Sequence, residues 1–490
     1  MPASSRTLPS CDEFMRLRSV LGGVAAHGRQ LWHASRLQAG SDRENSVPSD
    51  QDSLLDAITA FVENGANAPN LDGVALDSDG LRERAASECP AWWDAALGGV
   101  KLARLDLRGA SLRGADLSGV SLVGSDLSGA KAHAAKLRGA HLEQACFAGA
   151  DLAGADLDHA KAGEARFDDA MLEDASLVGA SLRYASLRNA ILDGATLDGA
   201  DLWGARLDGI EAQRASLRGT RLDEVCLAGA DLAGADLDDA TLKRADLRGA
   251  KLKGANLRGV QFDGANLDGA DLSDARLPLV SLRGCGLHHV RLAGAWLERT
   301  QMQMGQLGGA IGEEVAGEFG AAREGYTVLE QNFRSLGDIE AESWAFRKRR
   351  RMGKQDALRQ AQTSWRGRQW RLAFGYAASW LSDGFVEWLC DYGESLPRVA
   401  RAFLAVLVFY ALFYGVTGGL VSKGNAAPGL LRHAAELLHY SLGNMTTVGT
   451  GDLELHPTSE LIALVAATQS IVGPILLGLF GFVLGNRLRR

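Results

Sequence analysis

The chain has 490 residues, 46% hydrophobic and 23% charged, with a formal net charge of −8. So mild a charge announces neither a nucleic-acid binder nor an acidic mimic. A mean hydropathy of −0.06 excludes a many-span membrane protein but allows one or two spans. Glycine reaches 59 residues while proline stays at 10, so neither a collagen nor a Pro/Gly-rich disordered chain fits, and the glycine needs a local cause. The six cysteines (Cys11, Cys89, Cys146, Cys226, Cys285 and Cys390) form no CxxC or Cys/His cluster. Reduced, packed thiols are expected, with no metal site and no disulfide framework.

Residues 1–97 form an N-terminal region. Its first fifty residues are rich in Ser, Arg and Gly without periodicity and read as poorly ordered, and no secretory signal pattern opens them. Asp52–Asn64 has helical spacing. From Leu102 to Leu307 an apolar residue recurs every five positions without insertion, 42 times, and 35 of these are Leu. The exceptions are Ala132, Ala162, Ala212, Phe147, Phe167, Phe262 and Met302, and a small residue usually stands two positions earlier, as at Ala110, Ala150, Ala200 and Ala250. A period of five suits neither helix nor strand, so it describes a coil of short faces joined by turns. Asp or Asn before the leucine and Gly two after it supply the turn chemistry. Ala91-Trp92-Trp93, just before the first repeat, is a candidate plug for the open N-terminal end of this coil.

Units such as Ala245–Gly249 and Ala255–Gly259 resemble the pentapeptide-repeat family. The resemblance implies that residues 98–308 form a right-handed quadrilateral β-helix of about ten coils, roughly 50 Å long at ~4.8 Å per coil. Some members of that family imitate DNA. Here 25 Lys/Arg face 29 Asp/Glu over residues 101–307, too balanced for such a mimic, and no nucleic-acid partner is expected. His288-His289 reads as a pair of exposed turn residues rather than a site.

Residues 309–353 read as a helical hairpin capping the rod: Glu313–Ser335, a break at Leu336-Gly337-Asp338, then Ile339–Met352. Residues 354–397 form a basic and aromatic juxtamembrane segment. Ten Lys/Arg lie between Arg347 and Arg371 against the single acid Asp356, with Trp365, Trp370, Trp380 and Trp388 interspersed, as expected beside anionic lipid headgroups. Leu372–Cys390 carries Asp383 and Glu387, so it reads as interfacial rather than spanning.

Residues 398–490 carry two uncharged runs, Ala402–Val421 and Leu461–Leu484, each long enough to cross about 30 Å of hydrocarbon. Lys/Arg crowd before the first and after the second, which places both termini, and the rod, in the cytoplasm of a multi-pass protein of the cell inner (plasma) membrane. Between the runs a helical pattern over about 430–445 leads into Thr446-Thr447-Val448-Gly449-Thr450-Gly451-Asp452. Glycines alternating with other residues let successive carbonyls point to one side, where four chains would replace a cation's water shell.

This segment resembles the pore domain of the potassium-channel superfamily (prokaryotic two-transmembrane type). The resemblance implies an all-α pore domain with a re-entrant loop, assembled as a homotetramer. It makes Thr447, Val448, Gly449, Thr450 and Gly451 the selectivity filter and places Asp452 at the outer mouth. His439, Tyr440 and Thr446 become its pore-helix support, and Gly473-Pro474 the inner-helix hinge or gate. The family carries Tyr or Phe where this chain has Thr450, and Gly443 stands where some members have Glu. The permeant ion is therefore expected to be K+, with Na+ as the alternative; no cofactor and no metal beyond the permeant ion are implied. The sequence points to no enzyme. It points to a monovalent-cation channel with a cytoplasmic repeat domain for regulation or assembly. The alternatives are a nonselective cation channel and a membrane-anchored scaffold whose rod binds an unknown cytoplasmic protein.

Overall fold

The computed structural model describes residues 93–94, 99–100, 103–418, 420–422, 430–446 and 455–488. The helix expected over Asp52–Asn64, the residues Ala91 and Trp92, and the filter expected at Thr447–Asp452 lie outside the described residues. The chain divides into two compact units, Met1–Val315 and Ala316–Arg490.

In the first unit, β1 (Trp93–Asp94) pairs antiparallel with β2 (Gly99–Val100). From Asp106 to Gln301 the backbone then winds so that each residue of a short bridge pairs, in parallel, with the residue twenty positions on. Asp106 bridges Asp126, Asp126 bridges Cys146, and Ser281 bridges Gln301. Twenty residues per coil means four five-residue units per coil, one on each face. The recurrent leucines and alanines point inward; Leu127, Ala130, Leu152 and Ala155 are all fully buried. Each inward leucine contributes about 2 kcal/mol of hydrophobic stabilisation. Phe147 and Phe167 replace leucine on successive coils and stack face to face, 5.1 Å between centroids.

The glycine excess has its local cause in the corners. The fifth residue of a unit, two after the inward leucine, turns with positive φ, as at Gly249 (φ 64°) and Gly259 (φ 68°). Asp239, His159 and even Leu279 take the same conformation without glycine's freedom, so the stacked coil enforces the turn where the local residue disfavours it. His288 and His289 are both exposed corner residues, and His288 Nδ1 lies 3.2 Å from Asp268 Oδ1.

The C-terminal end of the coil leaves backbone groups that a further coil would satisfy. Two side chains meet that need. Gln306, in a 3₁₀ turn over Met304–Leu307, donates to the carbonyls of Leu282 (2.7 Å) and Cys285 (2.9 Å). Glu313, in the short helix α1 (Gly312–Val315), accepts from the backbone N–H groups of both Leu292 and Ala293 at 2.7 Å. Glu313 is fully buried, and burial raises its carboxyl pKa above the ordinary 4.5 despite the lowering effect of these N–H donors. A group with a raised native pKa stabilises the fold below its unfolded pKa and loses that contribution as pH rises through the native value. The end of the coil should therefore be firmer at pH 4 than at pH 7. Glu313→Gln should flatten that slope. Glu313→Ala, which orphans two buried donors, should cost about 2–5 kcal/mol at any pH. Hydrogen exchange of the Leu292 and Ala293 amides reads both effects; unchanged protection in Glu313→Ala would refute the capping role.

The second unit begins with α2 (Phe319–Leu336) and α3 (Ile339–Arg366). Gly337 ends α2 in the left-handed conformation (φ 74°), and Asp338 starts α3 by accepting from Ala341 N at 3.0 Å. Ala322, Tyr326, Leu329 and Phe333 are buried on α2, Ala341, Ala345 and Met352 on α3, and Tyr326 meets Trp344 edge to face at 5.5 Å. The second helix does not stop at Met352. No proline stands between Met352 and Arg366, and the single Gly353 costs only about 1 kcal/mol relative to alanine, so the helix runs on until Gly367.

Helix α4 (Trp370–Cys390) packs on α3. Three of the basic residues expected to face lipid are engaged there. Arg350 Nη2 lies 2.6 Å from Asp383, Arg351 contacts Glu387 (2.9 Å) and Asp391 (3.2 Å), and Lys354 also pairs with Glu387. Burial works against the Glu387 carboxylate, but Lys354 and Arg351 outweigh it and hold its pKa below the ordinary value. The two acids that argued against α4 spanning a membrane are thus the partners of the basic stretch.

Candidate pore module

Helix α5 (Leu396–Thr417) and helix α7 (Glu460–Leu488) are each long and apolar enough to cross a membrane. The first differs from the expected Ala402–Val421. Pro397 sits in the first turn, where its missing N–H costs nothing, so the helix starts at Leu396. Gly418 ends it in the left-handed conformation (φ 59°), and β3 (Leu420–Ser422) comes next, pairing antiparallel with β4 (Leu455–Pro457). Between those strands lies α6 (Leu430–Thr446), close to the expected 430–445 and ending one residue before Thr447.

Helix α6 packs against both apolar helices. Leu437 and Tyr440 are buried in one cluster with Ala411 and Tyr414 of α5, Leu420 of β3 and Ile462 of α7. The rings of Tyr414 and Tyr440 meet edge to face at 5.6 Å. His439, the neighbouring candidate for pore-helix support, is exposed in the single chain. Thr446 is half-buried, and its hydroxyl donates back to the Leu442 carbonyl at 2.9 Å.

Gly473 and Pro474 lie inside α7, which continues through both. The structure gives Gly473 a steric task that the hinge expectation did not include. A Cβ placed on it would stand 2.5 Å from Met445 Cα and 2.6 Å from the Met445 carbonyl carbon, at the C-terminal end of α6. Backbone meets backbone there, which only glycine permits.

One further group escaped the sequence reading. Gln469, fully buried on α7, accepts from Tyr414 Oη of α5 at 3.0 Å. Its Nε2 donates to the Ser441 carbonyl (3.0 Å) and Ser441 Oγ (2.5 Å) of α6, and that hydroxyl donates to the Leu407 carbonyl of α5 (3.0 Å). One amide thus ties all three helices together. The signal was present in the sequence: a lone glutamine within an uncharged apolar run needs partners, and Tyr414 and Ser441 are the polar residues facing it. Nearer the helix face, Tyr410 Oη lies 3.0 Å from Thr468 Oγ1.

Comparison with known proteins identifies the repeat. The family model for Pentapeptide repeats matches repeatedly, over residues 94–129, 135–174, 175–211, 215–254, 226–264, 242–277 and 265–303. The chain belongs to the pentapeptide-repeat family through these residues. Among solved structures it is similar to HetL, a pentapeptide repeat protein involved in heterocyst differentiation regulation from the cyanobacterium Nostoc sp. Strain PCC 7120. Identity is 33% over 50% of this chain and 92% of HetL, with a TM-score of 0.30. It is also similar to QnrB1, a plasmid-mediated fluoroquinolone resistance protein, at 19% identity over 41% of this chain and 95% of that one, with a TM-score of 0.29. A pentapeptide repeat protein from the Arabidopsis thaliana thylakoid lumen matches at 28% identity over 24% of this chain and 73% of that one, with a TM-score of 0.12. No curated protein matches the chain.

Proposed function

We propose that residues 398–490 form one quarter of a homotetrameric cation pore and that the protein is a membrane ion channel for monovalent cations, not an enzyme. The observation that carries this reading is the placement of α6. A 17-residue helix is held between two apolar helices and ends at Thr446, one residue before Thr447-Val448-Gly449-Thr450-Gly451-Asp452. The carbonyl end of a helix carries partial negative charge, which favours a cation beyond it. Irregular backbone at membrane depth is tolerated where it lines a pore or is packed in protein. In this reading K+ is the preferred ion, filter carbonyls replace its water, and the termini and repeat domain are cytoplasmic.

The test is flux. Full-length protein reconstituted in liposomes should pass K+, and Gly449→Val should abolish the flux without dissociating the oligomer. Absence of any monovalent-cation flux from the wild type would end this reading. The reversal potential in a K+/Na+ gradient separates a K+-preferring pore from a nonselective one.

A second reading, a membrane-anchored scaffold, is favoured by one surface cluster. Half-exposed Tyr184 meets Trp203 edge to face at 4.8 Å, and Arg183 stacks over Trp203 at 4.9 Å. Tyr, Trp and Arg are the residues that dominate protein interfaces. A scaffold would keep its cellular phenotype with Gly449→Val; a channel would lose it.

A further inference from the structure

Helix α4 has two unlike faces. One carries Asp383 and Glu387 and is paired to α3. The other carries Trp370, Phe374, Leu381, Phe385 and Trp388, all exposed, at successive spacings of three to seven residues along one side. The stripe leads to the start of α5. There Trp388, Arg398, Arg401, Ala402 and Ala405 line an open cleft of about 380 Å³.

The two arginines differ. Arg398 is anchored: its Nη1 donates to the Glu387 carbonyl at 2.7 Å and lies 3.6 Å from Asp391. Arg401 is three residues on, on the same side of α5, exposed and without an ion pair or hydrogen bond among the described residues. A free guanidinium and an indole at the entry to an apolar helix match a group with a phosphate at one end and acyl chains at the other.

We infer that the α4–α5 corner is an anionic-phospholipid site. The stripe lies in the acyl boundary of the bilayer, and the lipid phosphate sits between Arg398 and Arg401 beside Trp388. Charge complementarity selects the ligand: a net-negative glycerophospholipid is held more tightly than a zwitterionic one of the same chain length. Continuity with the exposed apolar surface of α5 (Leu404, Val408 and Leu412) selects the bilayer as the occupant of the stripe. The inference rests on the membrane reading of α5 and is independent of ion conduction.

Native mass spectrometry of the full-length protein, titrated with phosphatidylglycerol or phosphatidylcholine, tests it. Wild type should prefer phosphatidylglycerol. One arginine near a headgroup is worth about 1 kcal/mol, so Arg401→Gln should weaken phosphatidylglycerol about fivefold. Phosphatidylcholine and the oligomeric mass should stay unchanged, and Arg401→Lys should restore most of the loss. Equal phosphatidylglycerol affinity in wild type and Arg401→Gln would overturn the site. Phe385→Glu should weaken both lipids. If it instead dissociates the oligomer and leaves lipid preference intact, the stripe is a subunit contact and the inference fails. Loss of conduction alone would leave every one of these lipid readouts in place, whereas failure of any phospholipid to bind would strike at the membrane reading itself.

Discussion

Gly473→Val is expected to prevent assembly of the C-terminal helices while leaving the repeat coil folded. The cause is space. A Cβ on residue 473 would penetrate the backbone of Met445, which lies in the last turn of the helix that leads to the proposed filter sequence. Overpacking usually costs about 1–3 kcal/mol because a neighbouring side chain can move aside. Here the obstacle is main chain in a helix, so about 3 kcal/mol or more is expected even for Gly473→Ala, and valine should be worse. Pro474→Ala makes the control: it restores a helix hydrogen bond and adds nothing towards Met445, so it should assemble normally. Thermal unfolding followed by oligomer mass reads the result, with the coil's own transition as internal reference. A wild-type transition for Gly473→Ala would show that Gly473 serves only as a bend.

Why some of this was legible in the sequence and some not has a physical basis. In the coil every inward position repeats the same environment, so the period of five and the leucine–alanine pairing specify the structure locally. The bridge register of twenty then results from four such units per coil. The Leu336-Gly337-Asp338 break was legible for the same reason, since a left-handed C-cap and an aspartate N-cap are local devices. What a sequence does not display is who meets whom. Arg350, Arg351 and Lys354 formed a basic run with only Asp356 nearby in the chain, yet their partners Asp383, Glu387 and Asp391 arrive 33 to 40 residues later. Gly473 looked like a hinge beside a proline because its contact, Met445, is 28 positions earlier. The closure of the coil by Gln306 and Glu313 was equally hidden: Gln306 sits in the last repeat unit, in the position before the leucine, and Glu313 just past it, where no pattern marks them as caps.

The charged network on α4 also bears on how the two halves of the second unit hold together. Glu387 takes Lys354 and Arg351 through its carboxylate, and its carbonyl takes Arg398 of α5. One residue therefore joins α3, α4 and the start of the first apolar helix. A single exposed ion pair contributes less than about 1 kcal/mol. Several charges sharing one half-buried carboxylate thus tie α3, α4 and the start of α5 together at one point.

Gln469→Leu is the second large effect expected, in the three C-terminal helices. The substitution is close to isosteric, so it leaves little cavity, but it removes the acceptor of Tyr414 Oη and both donors to Ser441. Two arguments set the size. Orphaning buried polar groups in a protein core costs about 1–3 kcal/mol each, whereas interhelical hydrogen bonds measured within a bilayer average only about 0.6 kcal/mol. The higher figure should win here, because Tyr414 and Ser441 are themselves almost fully buried and have no water or lipid headgroup to turn to. A loss of about 2–4 kcal/mol is expected, read as a lowered midpoint for oligomer dissociation in detergent. Tyr414→Phe, which deletes one partner and leaves both bonds to Ser441, should cost about a third as much. The double variant Tyr414→Phe/Gln469→Leu should then be no worse than Gln469→Leu alone, since the phenolic donor that the leucine would orphan is gone. Strict additivity of the two single effects would mean that Gln469 and Tyr414 act separately, and the three-helix tie would have to be abandoned.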